Sequence, residues 1–506
     1  MKIIFKAGFI TIFLLLLLGN SIIYTVHPSA VKQSTLENLS EPTMCWPMSG
    51  YNAQNIRRSP YSTGDNPGGE RWKVYNDKIH CYYTPVIDGE GILYLPIDFP
   101  NRLIAIYPNG TLKWVAELDD SNFNHQPALG ADGTIYIGTS EHFYALNPNG
   151  TKKWTLPATG TFPSDPIIGM DGTIYVETTA TLYAINPNGT IKWQCAISPS
   201  RTVLSVDYAG NIYFINHSYL YSLTPNGTIR WFFDVGLLLD APTFSEDGTI
   251  FITDSSFTYA LDQEGNLIWK VDSPFGESPS IAPDGTLIAT SYDSSKILAL
   301  DPSDGHTLWS YDIGREGERM SPASIDSDGT IYFAAHIQGL YLYAMTSTGS
   351  LKWRTRLTSD YPYDDAHIFA APSIGNNGMV YVTTRFYGDD ANHNGGYIHA
   401  IGGGKIQNIE DGYLHLFGKK IIRTLQKRTI AIGAFTLQMK FFHPENLEKV
   451  EVLIDNATVC TLESPPFEHR FDTKLIGTHE LEIRGYYSDG AISKEKKTIL
   501  FFIIGK

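Results

Sequence analysis

The sequence has few cysteines, few charged residues and no block of basic residues, and each shortage excludes a class of protein. Four cysteines in 506 residues do not make a disulfide scaffold. Charged residues reach only 18%, below the proportion of about a quarter in an average soluble domain. The net charge is −15 and no long run of Lys and Arg occurs, so the electrostatic footprint of a nucleic-acid-binding protein is missing. We therefore expect no nucleic-acid partner.

Signatures of common enzymes are missing as well. The chain contains no G-x-S-x-G, no H-E-x-x-H and no glycine-rich phosphate loop. No two cysteines are adjacent, and no C-x-x-C-H haem site occurs. These absences favour a binding or structural protein over an enzyme.

The N-terminal segment has the residue order of a secretory signal. Lys2 and Lys6 precede an apolar run at residues 9–18. A second apolar stretch, residues 22–26, extends the segment to about the length that spans a bilayer. Residues 1–30 are therefore either a cleaved signal peptide or an uncleaved membrane anchor, and residues 31–43 form a linker. Both alternatives predict export, to an extracellular, cell-surface or membrane-anchored, outward-facing location.

Export permits disulfide formation. Cys45 and Cys81 flank the start of the repeats described next, so they are the expected pair among Cys45, Cys81, Cys195 and Cys460. Free buried thiols remain the alternative.

A two-part sequence pattern recurs along most of the chain, at a period that is typical of repeat architectures. The first part resembles Asp-Gly-Thr-Ile-Tyr and occurs near Gly91, Gly133, Gly172, Gly210, Gly248, Gly285, Gly329 and Gly378. The second part is an apolar strand, a turn such as Pro-Asn-Gly, and a strand that contains Trp. Pro, Asn and Gly supply the backbone angles of tight turns. We expect each unit to fold as four short antiparallel strands.

The strands of these units are apolar on both faces. Ile135 and Ile137 point to one side of a predicted strand and Tyr136 to the other. A sheet of this kind must be covered on both sides, which is why such units stack in arrays.

The tryptophans indicate how the array ends. The eighth unit has no Trp strand after it, whereas a strand of that type, with Trp72, precedes the first unit. If the N-terminal strand completes the last sheet, the array closes and leaves no unpaired edge. We therefore predict an all-β chain with an eight-bladed β-propeller at residues 44–406, closed by its N-terminal strand. Its structural blade tryptophans are Trp72, Trp114, Trp154, Trp193, Trp231, Trp269, Trp309 and Trp353.

The units resemble the repeats of PQQ-like, quinoprotein-type propellers. The segment that opens the array, residues 45–60, resembles the Trp-Pro-Met segment that commonly opens such propellers. The resemblance implies the fold but not one function, because the family contains quinone-dependent dehydrogenases, an outer-membrane assembly lipoprotein and many non-catalytic surface proteins. A dehydrogenase of this type would need a Trp under the quinone, a bound Ca²⁺, a catalytic Asp and usually two adjacent cysteines. Eight tryptophans are assigned to blades and Trp46 to the opening segment, so we expect neither bound PQQ nor a catalytic residue.

The connections that lead from each Trp strand to the next blade offer a place for binding. They converge at one mouth of the predicted channel, and loops on a rigid scaffold often carry function. Their candidate binding residues are His80, His125, Asp165, Arg201, Asp240, Glu277, Arg319 and His367. The alternative is that these residues are polar only because loops are exposed.

A calcium loop is a second candidate site. Asp390, Asn392 and Asn394 reproduce the first half of a D-x-N-x-N-G loop, but the closing Glu is missing. A solvated insertion is the alternative.

The repeat stops after residue 406. Residues 407–437 are predicted to be a linker with extra strands. Residues 438–506 resemble bacterial Ig-like domains, with matching positions at Phe467, Asp472, Thr473, Gly477, His479 and Gly490. The resemblance implies a β-sandwich that spaces or attaches the propeller.

The sequence as a whole predicts an exported, non-catalytic binding or scaffold protein. Its expected partner is an envelope or surface protein or a polysaccharide, and the membrane is involved only through an uncleaved N-terminal segment. A PQQ-dependent dehydrogenase and a purely structural envelope component are the alternatives.

Overall fold

The computed structural model describes residues 44–503 apart from short gaps. The gaps are residues 77–82, 98–101, 119–124, 158–163, 197–203, 217, 237–239, 255, 273–277, 291–294, 315–319, 337–338, 358–365, 368–369, 387–394, 404, 407–412, 417–418 and 424–428. The predicted signal segment and linker lie outside the described part. Within it, regular structure is β-strand except for one 3-10 turn at Pro444–Asn446, and no described helix is long and apolar enough to cross a bilayer.

Eight antiparallel sheets follow one another along the repeat region, and we number them in chain order. Sheet 1 contains Val86–Asp88, Leu93–Ile97, Arg102–Ile106 and Leu112–Glu117, and Met44–Trp46 pairs with its first strand. Sheet 2 contains Ala128–Leu129, Ile135–Gly138, His142–Leu146 and Lys152–Pro157; sheet 3 contains Ile167–Ile168, Ile174–Glu177, Thr181–Ile185 and Ile191–Ala196. Sheet 4 contains Leu204–Val206, Ile212–Asn216, Tyr219–Leu223 and Ile229–Asp234.

The next three sheets repeat this order. Sheet 5 contains Thr243–Phe244, Ile250–Thr253, Phe257–Leu261 and Leu267–Asp272. Sheet 6 contains Ser280–Ile281, Leu287–Thr290, Lys296–Leu300 and Thr307–Asp312; sheet 7 contains Ser324–Ile325, Ile331–His336, Leu340–Met345 and Leu351–Leu357. The prediction of an all-β chain is confirmed, and the four-stranded antiparallel sheets are consistent with a propeller.

Sheet 8 joins the two ends of the repeat region. Its inner strands are Ala366–His367, Ser373–Ile374, Val380–Phe386 and Gly395–Gly403. Its outer strand is Gly69–Asn76, which pairs antiparallel with Gly395–Gly403 and places Trp72 opposite Ala400. The N-terminal Trp strand therefore completes the last sheet, as predicted.

The tryptophans form one repeated contact between neighbouring sheets. The Nε1 of each donates a hydrogen bond of 2.7–2.9 Å to a main-chain oxygen in a turn of the next sheet. The donor and acceptor residues are Trp72 and Pro108, Trp114 and Pro148, Trp154 and Pro187, Trp193 and Pro225, Trp231 and Gln263, Trp269 and Pro302, Trp309 and Ser347, and Trp353 and Asn66. The series passes from sheet 7 to the turn before Gly69–Asn76 and from sheet 8 to sheet 1, so it has no end.

Glycine in the accepting turn is required by this contact. Gly150 has φ of +83°, a conformation that favours glycine. A Cβ built on it would lie 2.9 Å from Cε3 of Trp114. The Asn-Gly turn of one repeat and the Trp strand of the preceding repeat are therefore parts of one packing unit.

The two ends of the sheets differ in what they carry. Because the strands are antiparallel, the Asp-Gly and Pro-Asn-Gly turns lie at one end, which we call the turn face. The chain passes from one sheet to the next at the other end, which we call the loop face. The predicted binding residues belong to the loop face.

Residues 44–66, here called the leader, visit the first strands of the sheets in order. Met44–Trp46 pairs with sheet 1, and the next residues contact sheets 2 to 8. Main-chain oxygens of the leader accept hydrogen bonds of 2.8–3.1 Å from main-chain N–H groups of the first strands. The donor and acceptor residues are Leu129 and Pro47, Val206 and Ala53, Phe244 and Gln54, Ile281 and Ile56, and Ile325 and Arg57. Met48 packs in a cluster with Ile167 of sheet 3, and Asn66 Nδ2 donates to Gly378 O and Ile401 O of sheet 8. The leader thus closes the centre of the array near the turn face.

The C-terminal residues form two sheets around one core. One sheet contains Lys405–Ile406, Phe435–Lys440 and Glu468–Phe471; the other contains Lys419–Arg423, Tyr413–Leu416, Thr429–Ile432, Ile492–Ile503, Leu475–Tyr487, Leu447–Ile454 and Ala457–Leu462. Ala431, Phe435 and Leu437 are buried in this core together with Val452 and Phe501. The boundary predicted at residue 438 is therefore wrong, because it divides a strand and leaves core residues in the linker.

The C-terminal sheets dock on the closing strand of sheet 8. Arg71 is 8% exposed, and its Nη2 donates to Asp489 Oδ2 at 2.6 Å while its Cζ lies 3.8 Å from the ring centroid of Tyr487. Ser493 Oγ donates to Glu70 O at 3.1 Å, and Asn109 Nδ2 donates to Asp489 O at 3.0 Å. The docking occupies the turn face of sheets 8 and 1.

The expected Cys45–Cys81 disulfide is wrong, since Cys45 is a free thiol. Cys45 is fully buried in the core that sheets 1, 7 and 8 share. Burial raises the pKa of the thiol to about 11. Cys81 lies outside the described residues, and Cys195 and Cys460 are free.

We predict that Trp72→Ala destabilises the fold by about 3–5 kcal/mol, because it empties the contact between sheets 8 and 1. Chemical denaturation measures the loss. Leu112→Ala is the matched control, because Leu112 is 59% exposed in the outer strand of sheet 1 and its loss should cost only about 0.5 kcal/mol. Equal stability of Trp72→Ala and wild type would show that the Trp strand does not close the array.

Loss of the Arg71 contacts should loosen the C-terminal sheets. We expect Arg71→Ala to cost about 2 kcal/mol, as for other hydrogen bonds to charged groups, and to split a shared unfolding transition into two in calorimetry. Arg102→Ala is the control, since Arg102 and Glu117 form an exposed ion pair that should contribute under about 1 kcal/mol. A single transition that does not move in Arg71→Ala would contradict the docking.

Candidate functional site

The loop face brings together two of the predicted binding residues. His125 precedes the first strand of sheet 2 and Asp165 the first strand of sheet 3, with 3.5 Å between His125 Nδ1 and Asp165 Oδ1. The same carboxylate oxygen accepts a 2.8 Å hydrogen bond from the N–H of Gln126. Both side chains are partly exposed. The pair joins the edges of neighbouring sheets and presents an imidazole and a carboxylate to solvent.

A third predicted residue, Asp240, has a partner that the sequence did not suggest. Arg57 of the leader donates from Nη2 to Asp240 Oδ2 at 2.5 Å and from Nη1 to Ser278 O at 2.9 Å. The Arg57 and Asp240 side chains are only 7% and 14% exposed. Because a buried charge must be paired, Arg57 is the structural partner of Asp240, and a role of Asp240 in ligand binding stays a prediction.

The other predicted binding residues are not all described. His80, Arg201, Glu277 and Arg319 lie outside the described residues, as do Asp390, Asn392 and Asn394 of the calcium loop. His367 belongs to a strand of sheet 8, and its main chain pairs with Arg385. These residues stay predictions.

Glu177 was missed by the sequence reasoning. It ends the second strand of sheet 3 and is fully buried, and its N–H donates to Ser164 Oγ at 3.1 Å, next to Asp165. Among the described residues, neither carboxylate oxygen has a hydrogen-bond partner. Burial raises the pKa of Glu177 to about 8. A charged residue in a strand predicted to be apolar on both faces was the available clue.

The residues that could support a planar quinone are already engaged. Eight of the nine tryptophans make the contacts between sheets, and Trp46 is fully buried against Tyr51, with ring centroids 5.4 Å apart. A ring face for a quinone would therefore require one of these contacts to be given up. The described residues do not fit the PQQ cradle that the resemblance implies.

One exposed cluster of described side chains has the residue types of a metal site. Asp301, Asp304 and His306 lie in a turn of sheet 6 with their ligand atoms close together. His306 Nδ1 and Asp304 Oδ1 are 2.6 Å apart, and Asp301 Oδ1 accepts hydrogen bonds from Ser303. These hydrogen bonds within the turn are sufficient to explain why the three side chains lie close together.

The repeat region matches a family model. The model, described as outer membrane protein assembly factor BamB, matches residues 101–215 and 216–389, more than half of the chain. The chain belongs to this PQQ-like repeat family. No curated protein matches it.

Solved structures agree with this fold. A europium-containing methanol dehydrogenase is 14% identical with a TM-score of 0.55, and the match covers 72% of this chain and 99% of that one. BamB from Moraxella catarrhalis is 15% identical with a TM-score of 0.50, covering 65% and 99%. The C-terminal WD40 domain of Sif2 is 16% identical with a TM-score of 0.52, covering 64% and 97%. Similarities at this level of identity support the propeller fold alone.

We predict that Glu177→Gln removes a pH dependence of stability. Because the folded-state pKa of Glu177 is raised, the folded protein retains a proton that the unfolded chain releases, so this group lowers stability as pH rises from about 4.5 to about 8. At pH 8 the variant should gain about 4 kcal/mol over wild type, with almost no gain at pH 4.5. Denaturation at both pH values measures this difference, and an equal gain at both would contradict it.

Proposed function

We propose that this chain is a non-catalytic binding and scaffold protein of the cell exterior, and that its eight sheets are the blades of one closed propeller. Three features support the closed ring. Eight Trp contacts succeed one another without an end, the strand Gly69–Asn76 completes sheet 8, and the leader visits the sheets in order. We further propose that the C-terminal sheets are an Ig-like module.

The binding role is carried by one observation, which is the engagement of every tryptophan in the chain. A quinone-dependent dehydrogenase needs an indole free to stack on its cofactor, and none is free without loss of a contact between blades or of the buried Trp46. The ion pair of Arg57 with Asp240 supports the same conclusion, because it withdraws a loop-face carboxylate from chemistry.

The loop face is the expected recognition surface. The C-terminal sheets contact the turn face, and the leader bonds to the first strands near it. The leader also reaches the loop face through Arg57 at Asp240, and we propose the rest of the loop face as the surface for a partner. His125 and Asp165 there offer a hydrogen-bond donor and an acceptor at partly exposed positions. An envelope or surface protein, or a polymer, is the partner class that we propose.

Export fits the N-terminal residues and the family. Lys2, Lys6 and the apolar run that follows have the order of a signal segment. The family model is described by an outer-membrane assembly factor. An extracellular or envelope location is therefore part of the proposal.

The full chain should not retain quinone. In a titration with PQQ and Ca²⁺ followed by gel filtration, we expect the absorbance of the protein peak to be unchanged. Stoichiometric co-elution of quinone would replace this proposal by the dehydrogenase alternative.

Partner binding is tested with envelope extracts. Asp165→Ala should reduce capture of a cross-linked partner at least tenfold, and the control Asp132→Ala, on the turn face, should not. Equal capture by both variants would favour a purely structural role.

A further inference from the structure

The outer strand of sheet 4 has an unusual residue at a position that all sheets share. The residue after the blade Trp is Lys73, Val115, Thr155, Gln194, Phe232, Lys270, Ser310 or Arg354. Phe232 is the aromatic member of this series and is 60% exposed. Outer strands tolerate polar residues at this position, so core packing does not require a phenylalanine there.

Phe232 belongs to a cluster of aromatic rings on one face of sheet 4. It pairs across the strands with Tyr221, and Tyr219 pairs with Asp234 on the same face. The ring centroid of Phe232 lies 5.6 Å from that of Tyr221 and 5.7 Å from that of Tyr219. Phe214 stacks beneath Tyr221 at 5.2 Å with an interplanar angle of 13°. We call Tyr219, Tyr221, Phe232 and Asp234 the aromatic patch.

Three other sheets cover the corresponding rings with a cation of their own. Lys270 lies 3.5 Å from the ring centroid of Phe257 in sheet 5. Arg354 in sheet 7 and Lys73 in sheet 8 lie 5.3 Å and 5.2 Å from the centroids of Tyr341 and Tyr397. Sheet 4 has Phe232 in place of the cation, which adds a ring to the patch instead of covering it.

The tyrosines of the patch are also more accessible than their counterparts. The residues that correspond to Tyr221 are buried in four other sheets, with exposed fractions of 1–6%: Tyr144, Tyr183, Tyr259 and Tyr343. Tyr219 and Tyr221 are partly exposed. Within the described part of the chain, neither hydroxyl has a hydrogen-bond partner, so both can bond to a ligand.

We propose that the aromatic patch binds a sugar unit of a neutral polysaccharide. The C–H faces of a pyranose pack on aromatic rings, while the two phenol groups and the Asp234 carboxylate can bond to sugar hydroxyls. The carboxylate disfavours an anionic polymer. Three rings span one or two sugar units and fall far short of the roughly 800 Å² that each partner contributes to a stable protein interface. This inference rests on the proposed binding role and assigns one partner class to a site on the rim.

Affinity electrophoresis of the purified full chain tests the site. The probes are soluble neutral polysaccharides: a β-1,3-glucan, a mannan and a galactan. We expect at least one of them to retard the wild type. Phe232→Ala should weaken binding at least tenfold, and Phe232→Trp, which keeps an aromatic ring at this position, should bind like the wild type. Ile268→Ala is the control, because Ile268 is 51% exposed in the outer strand of sheet 5 and should leave retardation unchanged.

Two results would overturn the proposal. One is the absence of retardation by every probe, and the other is equal retardation of Phe232→Ala and wild type. Because Phe232 is exposed, Phe232→Ala should melt within a few degrees of wild type, so weaker binding is not explained by unfolding. Asp165→Ala distinguishes the aromatic patch from the loop face, because this variant should still bind sugar even if it no longer captures a partner. If the wild type captures a partner but binds no sugar, the aromatic-patch proposal fails and the proposed binding role of the loop face stands.

Discussion

The indole that each sheet inserts against a turn of its neighbour is the interaction on which the rest of the structure depends. The ring of Trp114 lies over Gly150, and its Nε1 bonds to Pro148 O. The contact needs three things at once: an indole with a donor, a turn that exposes a carbonyl, and a glycine without a side chain. Because all three recur in every unit, each sheet fixes the position of the next. The first strands of successive sheets then lie close enough together for one segment of chain, the leader, to hydrogen-bond to them in order.

The leader lies at the centre of the array, where a ligand could otherwise bind. Its main chain bonds to the first strands of successive sheets, and the buried guanidinium of Arg57 neutralises Asp240. Burying such a pair is favourable only with good geometry and further hydrogen bonds, which Ser278 O supplies. The family contains both enzymes and non-enzymes, and in this chain the leader at the centre of the array bonds to the first strands of several sheets.

The sequence was informative wherever a structural role depends on residues close in the chain. Pro-Asn-Gly and Asp-Gly have few conformations open to them, so the hairpins and the role of Trp72 could be predicted. Contacts between distant residues could not. Nothing near Arg57 indicates that it meets Asp240, and nothing near Asp489 indicates that it meets Arg71. The boundary at residue 438 failed because alternating apolar residues reveal a strand but not the core to which it belongs. Half of the predicted loop-face residues, His80, Arg201, Glu277 and Arg319, lie outside the described part.

Pairing between Gly69–Asn76 and Gly395–Gly403 has a consequence for how the molecule is made. The strand that finishes the ring is synthesised first, and its partner comes only after seven sheets have been translated. Until then the strand Gly69–Asn76 has no partner, and its unpaired edge can pair with another chain. Such long-range pairing is slow, and slow closure prolongs exposure to aggregation. If the chain is exported as we propose, crossing the membrane as an extended chain and folding only when the last sheet has arrived on the far side shortens this exposure.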